Sequence, residues 1–261
     1  MASRVRFGLP MLLLIVTLAC VLVGSWAERA RIQARAVTQL RDQGAWVIYD
    51  QKDLDAEGAR PVVFSPTWIQ RSLGADFVFR VEEVDFGPVY PSLPVSQFHP
   101  MTTHVDDLSA LSRLPHVKRL SLSHTDVSSL EHLASLHTLE KLNISNTLVQ
   151  DLSPLQSLTR LRDVDLQCTA VTSLHGLEQA IELRTLDCGY SQVRDLSALR
   201  PCTGLTRIDL NGTKVVDLTP LHGKPLRIVN LIGVYSVSAE EVEALRAASP
   251  ANCVIAWDGG P

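Results

Sequence analysis

The stretch LEKLNISNTLVQDLSPLQSLTR, residues 139–160, decides the fold. Leu139, Leu142 and Ile144 follow the pattern L-x-x-L-x-L, and then Val149, Leu152 and Leu155 come three apart. A spacing of two belongs to a short strand and a spacing of three to a tight helical or 3₁₀ segment, so this unit of 22 residues holds one of each. The unit recurs on both sides. Val105, Val127, Val149, Val171, Val193 and Val215 mark one slot, followed three residues later by Leu108, Leu130, Leu152, Leu174, Leu196 and Leu218. Leu111, Leu133, Leu155, Leu177, Leu199 and Leu221 come three later again, and the last unit is one residue short near Lys224-Pro225 before resuming at Leu226.

One such unit cannot bury its own leucines, but stacked units close them into a continuous core, and six exceed the minimum of about three. Asp107, Ser129, Asp151, Ser173, Asp195 and Asp217 immediately precede the first leucine of each helical half. Each is expected to cap it by accepting a backbone N–H.

Over residues 105–235 this pattern resembles the leucine-rich-repeat family, within it the 22-residue internalin-like class. The resemblance implies an α/β solenoid: parallel strands on a concave face, short helical or 3₁₀ segments on the convex side, and a cap at each end. One departure is regular. Thr125, Thr147, Thr169, Ser191 and Thr213 stand where the family usually carries asparagine. Their hydroxyls are expected to bond to the neighbouring turn's backbone.

Outside the repeats the chain divides into an N-terminal apolar segment (1–27), a juxtamembrane helix (28–44), an N-terminal cap region (45–104) and a C-terminal cap (236–261). No charge occurs between Arg6 and Glu28. As a helix, residues 7–27 would span about 30 Å, the thickness of a bilayer's hydrocarbon core, with Trp26 as an interfacial anchor. The run is therefore read as a single transmembrane helix; Ser25-Trp26-Ala27 leaves a cleaved signal peptide as the alternative. Arg29, Arg31, Arg35 and Arg41 outnumber Arg4 and Arg6, which favours a cytoplasmic solenoid by charge count, whereas long C-terminal domains translocate largely regardless of charge. Export is the expected outcome.

Ile32, Ala36, Val37 and Leu40 share one face of the next helix, Gly44 stops it, and Trp46–Tyr49 reads as a strand. Ser65-Pro66-Thr67 opens a second short helix carrying Trp68, Ile69 and Leu73, and Val81–Phe86 matches the strand spacing of the repeats. Pro88, Pro91, Pro94 and Pro100 mark an irregular crossing. At the other end Ser238–Glu241 opens an amphipathic helix through Val242, Leu245 and Ala248, and Cys253–Trp257 closes as a strand.

Strand residues between the buried leucines point to the concave surface. One column reads Arg119, Lys141, Asp163, Thr185, Arg207, Ile228; the next Ser121, Asn143, Asp165, Asp187, Asp209, Asn230; the third Ser123, Ser145, Gln167, Gly189, Asn211, Ile232. With strands about 4.8 Å apart, Asp165, Asp187 and Asp209 form an acidic ladder. Two readings stay open: a solvated polar face with Arg207 and Lys141 compensating, or a surface for a basic protein partner or a cation. Tyr190 is either an aromatic contact for that partner or a loop residue resting on its neighbour.

A net charge of −4 with a pI near 6.1 speaks against nucleic acid. The five cysteines include no C-x-x-C pair, and Cys188 and Cys202 fall on core slots, as buried small hydrophobes do. No catalytic or cofactor motif is present, and His124, His132, His137 and His175 read as surface fillers. The expected role is a membrane-tethered, non-enzymatic scaffold without cofactor or metal; the alternative is a self-associating structural envelope protein.

Overall fold

The computed structural model describes residues 9–49, 80–87, 103–105 and 107–259, with side chains from Val16 onward. The predicted short helix after Ser65 and the proline-rich crossing lie outside the described residues. Helix α1 (Leu9–Asp42) leads into β1 (Trp46–Tyr49), followed by β2 (Val81–Asp85). The repeats contribute β3 (Arg119–Ser121), β4 (Lys141–Asn143), β5 (Asp163–Asp165), β6 (Thr185–Asp187), β7 (Arg207–Asp209) and β8 (Ile228–Asn230). Helix α2 (Ala239–Ala248) and β9 (Val254–Ala256) end the described fold. Among the described residues nine strands form one sheet in chain order, parallel throughout except that β1 runs antiparallel to β2.

The period of 22 sets this topology. Each strand carries one buried residue flanked by two outward ones, so Leu120, Leu142, Val164, Leu186, Ile208 and Val229 stack beneath the sheet. The leucines of the opposite half close the layer from the other side, and the core runs unbroken from Ala36 to Leu245. Cys188 and Cys202 are fully buried within it.

At all six positions, one residue ahead of the leucine that opens each helical half, the side chain accepts a backbone N–H. Asp107, Asp151, Asp195 and Asp217 accept the N–H two residues on at 2.7–2.8 Å, and each takes a second bond from that residue's hydroxyl: Ser109, Ser153, Ser197 or Thr219. Ser129 and Ser173 do the same at 3.4 and 3.1 Å, with no second bond. Five units then form a 3₁₀ segment. The fourth, with Leu174 and Leu177, does not: Gly176 sits at φ +108, where a Cβ would meet the Leu152 carbonyl at 2.1 Å, and turns replace the helix.

The hydroxyls in the asparagine slot work differently from expectation. Thr125, Thr147, Thr169 and Thr213 donate to the carbonyl three residues earlier in their own turn, at 2.6–2.7 Å, not to the neighbouring turn. Just before them the backbone enters the left-handed region at His124, Asn146, Cys168, Tyr190, Gly212 and Gly233. The short sixth unit places Lys224 where Leu114, Leu136, Leu158, Ala180 and Cys202 stand in the others. Lys224 is buried, and its ammonium donates to the carbonyls of Leu199 (2.8 Å), Cys202 (2.9 Å) and Arg200 (3.3 Å). Burial draws its pKa below the usual lysine value.

At the N-terminus, α1 is one helix of 34 residues that passes residue 28 without interruption. Gly44, at φ +89, ends it as expected. Ala36, Val37 and Leu40 are buried against the first layers, and Ala30 is buried a little earlier, whereas Ile32 remains 38% exposed. No helix among the described residues is long and apolar enough to cross a membrane. The predicted transmembrane helix over 7–27 thus finds no support there, its first nine residues lying outside the described side chains. The C-terminal cap follows expectation: Ser238 and Glu241 form a capping box on α2, Val242 and Leu245 are buried, and β9 pairs with β8.

Candidate functional site

The concave columns stand in register: Arg119, Lys141, Asp163, Thr185, Arg207 and Ile228 pair across the strands, as do Ser121, Asn143, Asp165, Asp187, Asp209 and Asn230. Three-residue strands leave only these two outward positions each, one on either side of a buried residue. Strands β3 to β7, with Glu83 of β2, line an open groove of about 340 Å³.

Asp165, Asp187 and Asp209 share the floor of this groove and are half-buried. Each accepts the N–H two residues ahead, from Gln167, Gly189 and Asn211, at 2.9–3.0 Å. Asp209 also accepts the Asn230 amide at 2.9 Å. Burial pushes the Asp165 and Asp187 carboxyls above the usual carboxylate value, and the neighbouring ladder carboxylates push the same way; the backbone N–H bonds oppose them. Among the described residues no three His, Cys, Asp or Glu side chains are placed to hold a metal ion.

Lys141 and Arg207, the cations of the compensating reading, take different places. Lys141 pairs with Asp163 at 2.8 Å in the outer column, and Arg119 pairs with Glu83 (2.7 Å) and Glu82 (3.2 Å). Arg207 lowers the Asp187 pKa through its charge but forms no ion pair with a carboxylate among the described residues. Tyr190, 56% exposed at φ 56, lies over Gly212, where a Cβ would come within 2.9 Å of its ring, and its hydroxyl accepts from the Asn211 amide at 3.2 Å. The structure therefore brings Asp165, Asp187, Asp209 and Arg207 together. It ties Asp163 to Lys141 and places Tyr190 on the rim, both resting on a neighbour and open to solvent.

Two features of the concave face stand apart from the acidic ladder. The αL residues that turn the chain away from the sheet are one; their spacing of 22 was a signal, but four of the six are not glycine. The other is the apolar C-terminal end of the face, where Ile228 and Ile232 are each 44% exposed and Val254 62%.

Residues 115–156 match the family model described as leucine-rich repeats (2 copies). Among solved structures the chain is similar to internalin C2 of Listeria monocytogenes, with 24% identity and a TM-score of 0.51, over 59% of this chain and 67% of that one. An internalin InlF of the same organism shares 24% identity with a TM-score of 0.47, over 59% of this chain and 51% of that one. A leucine-rich-repeat protein of Leptospira interrogans shares 16% with a TM-score of 0.43, over 56% and 44%. No curated protein matches the chain. The repeat match and the likeness to internalin C2 show a leucine-rich-repeat solenoid of internalin-like fold.

Proposed function

We propose that this solenoid is a protein-recognition scaffold whose concave face receives a basic surface, and that its N-terminal segment holds it at a membrane with the repeats on the exported side. The observation that carries the first part is the ladder itself. Asp165 and Asp187 are half-buried, each accepts a backbone N–H, and burial raises the pKa of both, with the Asp209 carboxylate pushing the same way. A cation entering the groove relieves that repulsion, which makes the face better suited to a partner's lysine or arginine than to bare solvent. The fold supports the same reading, since parallel solenoid sheets present extended concave surfaces.

Membrane tethering rests on the sequence of residues 7–27 and on the exposure of Val16, Leu18, Val21, Leu22, Val23 and Trp26 along α1, a helix that packs only in its later part. Exposed apolar patches of this kind mark a surface that something else covers. Two experiments test the reading. Binding of a fluorescent oligolysine peptide to the full chain should weaken at least tenfold in Asp187→Arg, with cooperative melting retained; undiminished binding rejects the face. Protease digestion of intact cells should cleave the repeats if they are exported, and protected repeats reject that placement.

A further inference from the structure

We infer that the concave face takes a two-part helical segment. A basic side chain would sit on the Asp165–Asp187 part of the ladder, and an apolar side chain about two strands further on, against Ile228, Ile232 and Val254. This rests on the basic-partner reading above and adds to it the apolar half, the spacing and the conformation.

The chemistry of the face changes abruptly after β7. Arg207 is the last charged residue of its column and Asp209 of the other; beyond them stand Ile228 and Asn230 on β8, then Val254 and Ala256 on β9. Strand alternation, not a packing need, turns Ile228 and Val254 outward: Val229 faces the core, Ile255 packs against it, and Ile228 and Val254 lie side by side in register on the open face. The Asn230 amide bonded to Asp209 closes the ladder at the border between the two halves. The under-compensated carboxylates are therefore on β5 and β6, and the exposed aliphatic surface on β8 and β9. Charge complementarity names one half of the occupant and apolar exposure the other.

Geometry fixes the separation. From β6 to β8 is two strand spacings, roughly 10 Å across the sheet, and Ile228 and Ile232 stand two residues to either side of Asn230, the β8 residue in the column of Asp187. A segment lying in the groove crosses the strands, whose N–H and C=O groups already bond laterally to their neighbours, so the sheet offers its backbone no partners. A helix satisfies its own backbone. At about 1.5 Å per residue, positions i and i+7 of a helix lie roughly 10 Å apart on one face, which matches the span.

The test uses two alanine-based helical peptides of equal charge: one with Lys at i and Leu at i+7, the other with the Leu moved to i+5, on a different face. The full chain should bind the first at least tenfold more tightly, by fluorescence anisotropy. Ile228→Ser combined with Val254→Ser should abolish that preference while leaving oligolysine binding intact; both residues are exposed, and an unchanged melt confirms that the variant folds. Equal affinity for the two peptides, with Asp187 dependence retained, overturns this inference and leaves the basic-partner reading standing. Loss of Asp187 dependence overturns both. Wild-type self-association that the double variant abolishes, without any peptide preference, also overturns it and assigns the apolar end to a second copy of the chain.

Discussion

At the scale of single residues, this chain uses aspartate in two opposite ways. Asp107, Asp151, Asp195 and Asp217 are held below the usual carboxylate range, first by the hydroxyl and then by the N–H of the residue two positions on. A carboxyl with a depressed folded pKa contributes stability above its unfolded value, and that contribution is lost as the pH falls through the folded one. Asp165 and Asp187 are raised instead, mainly by burial. Their charged form penalises the fold at neutral pH, and the penalty lifts as the pH falls through the folded pKa. Asp195→Ala should therefore cost about 1 kcal/mol in urea denaturation at pH 7, and Asp195→Ser less, since Ser129 and Ser173 cap with a single bond. Asp187→Asn should do the reverse. Its amide oxygen can still accept the Gly189 N–H, while the loss of charge repulsion gains about 1 kcal/mol at pH 7. That gain should shrink towards zero as wild type and variant are compared near pH 4 and below; a gain that persists in acid would refute the electrostatic cause.

At the scale of elements, what was legible in the sequence is what repeats. The strands, the capped turns and the concave columns each recur every 22 residues, so six copies vote on every position. Some features that occur once were hidden. Gln39 on α1 and Gln43 in the turn that follows it belong to no repeat, yet they clamp the first one. The Gln39 amide donates to the Asp107 carboxylate at 2.8 Å, and the Gln43 amide exchanges bonds with the backbone of Asp107 at 2.9 and 3.0 Å. Asp107 already had a sufficient explanation as a cap, so nothing in its spacing called for a second role. The αL column stayed hidden for another reason: His124, Cys168 and Tyr190 do not announce a positive φ as glycine does. Because the clamp joins α1 directly to the solenoid, Gln39→Ala with Gln43→Ala should speed amide hydrogen exchange over residues 30–42 several-fold and leave β4 to β7 unchanged. Uniform protection of α1 in the variant would show that the buried Ala36, Val37 and Leu40 suffice to hold it.

For the whole molecule, the decisive property is that each layer touches only its neighbours. Each repeat strand bonds to the strand before it and the strand after it, and the caps close the two open ends of the core. Stability is then close to a sum over layers and their interfaces, and length is a variable the fold tolerates so long as register is kept. Removing residues 127–148 joins Asp126 to Val149, the equivalent of its natural neighbour Val127, so every remaining column stays aligned. That shortened chain should fold, with a parallel sheet one strand smaller and a melting temperature several degrees lower. Removing only residues 127–146 takes away two residues fewer, which moves Val149 and Leu152 off the buried slots and turns polar side chains inward. This second chain should lose cooperative melting measured by circular dichroism. The same comparison probes recognition, because both deletions spare Asp165, Asp187, Ile228 and Val254. The in-register deletion should keep binding a basic helical peptide, since the ladder and the apolar end remain two strands apart. If the two deletions melt alike, the layers are not interchangeable units, and the additive description of this solenoid fails.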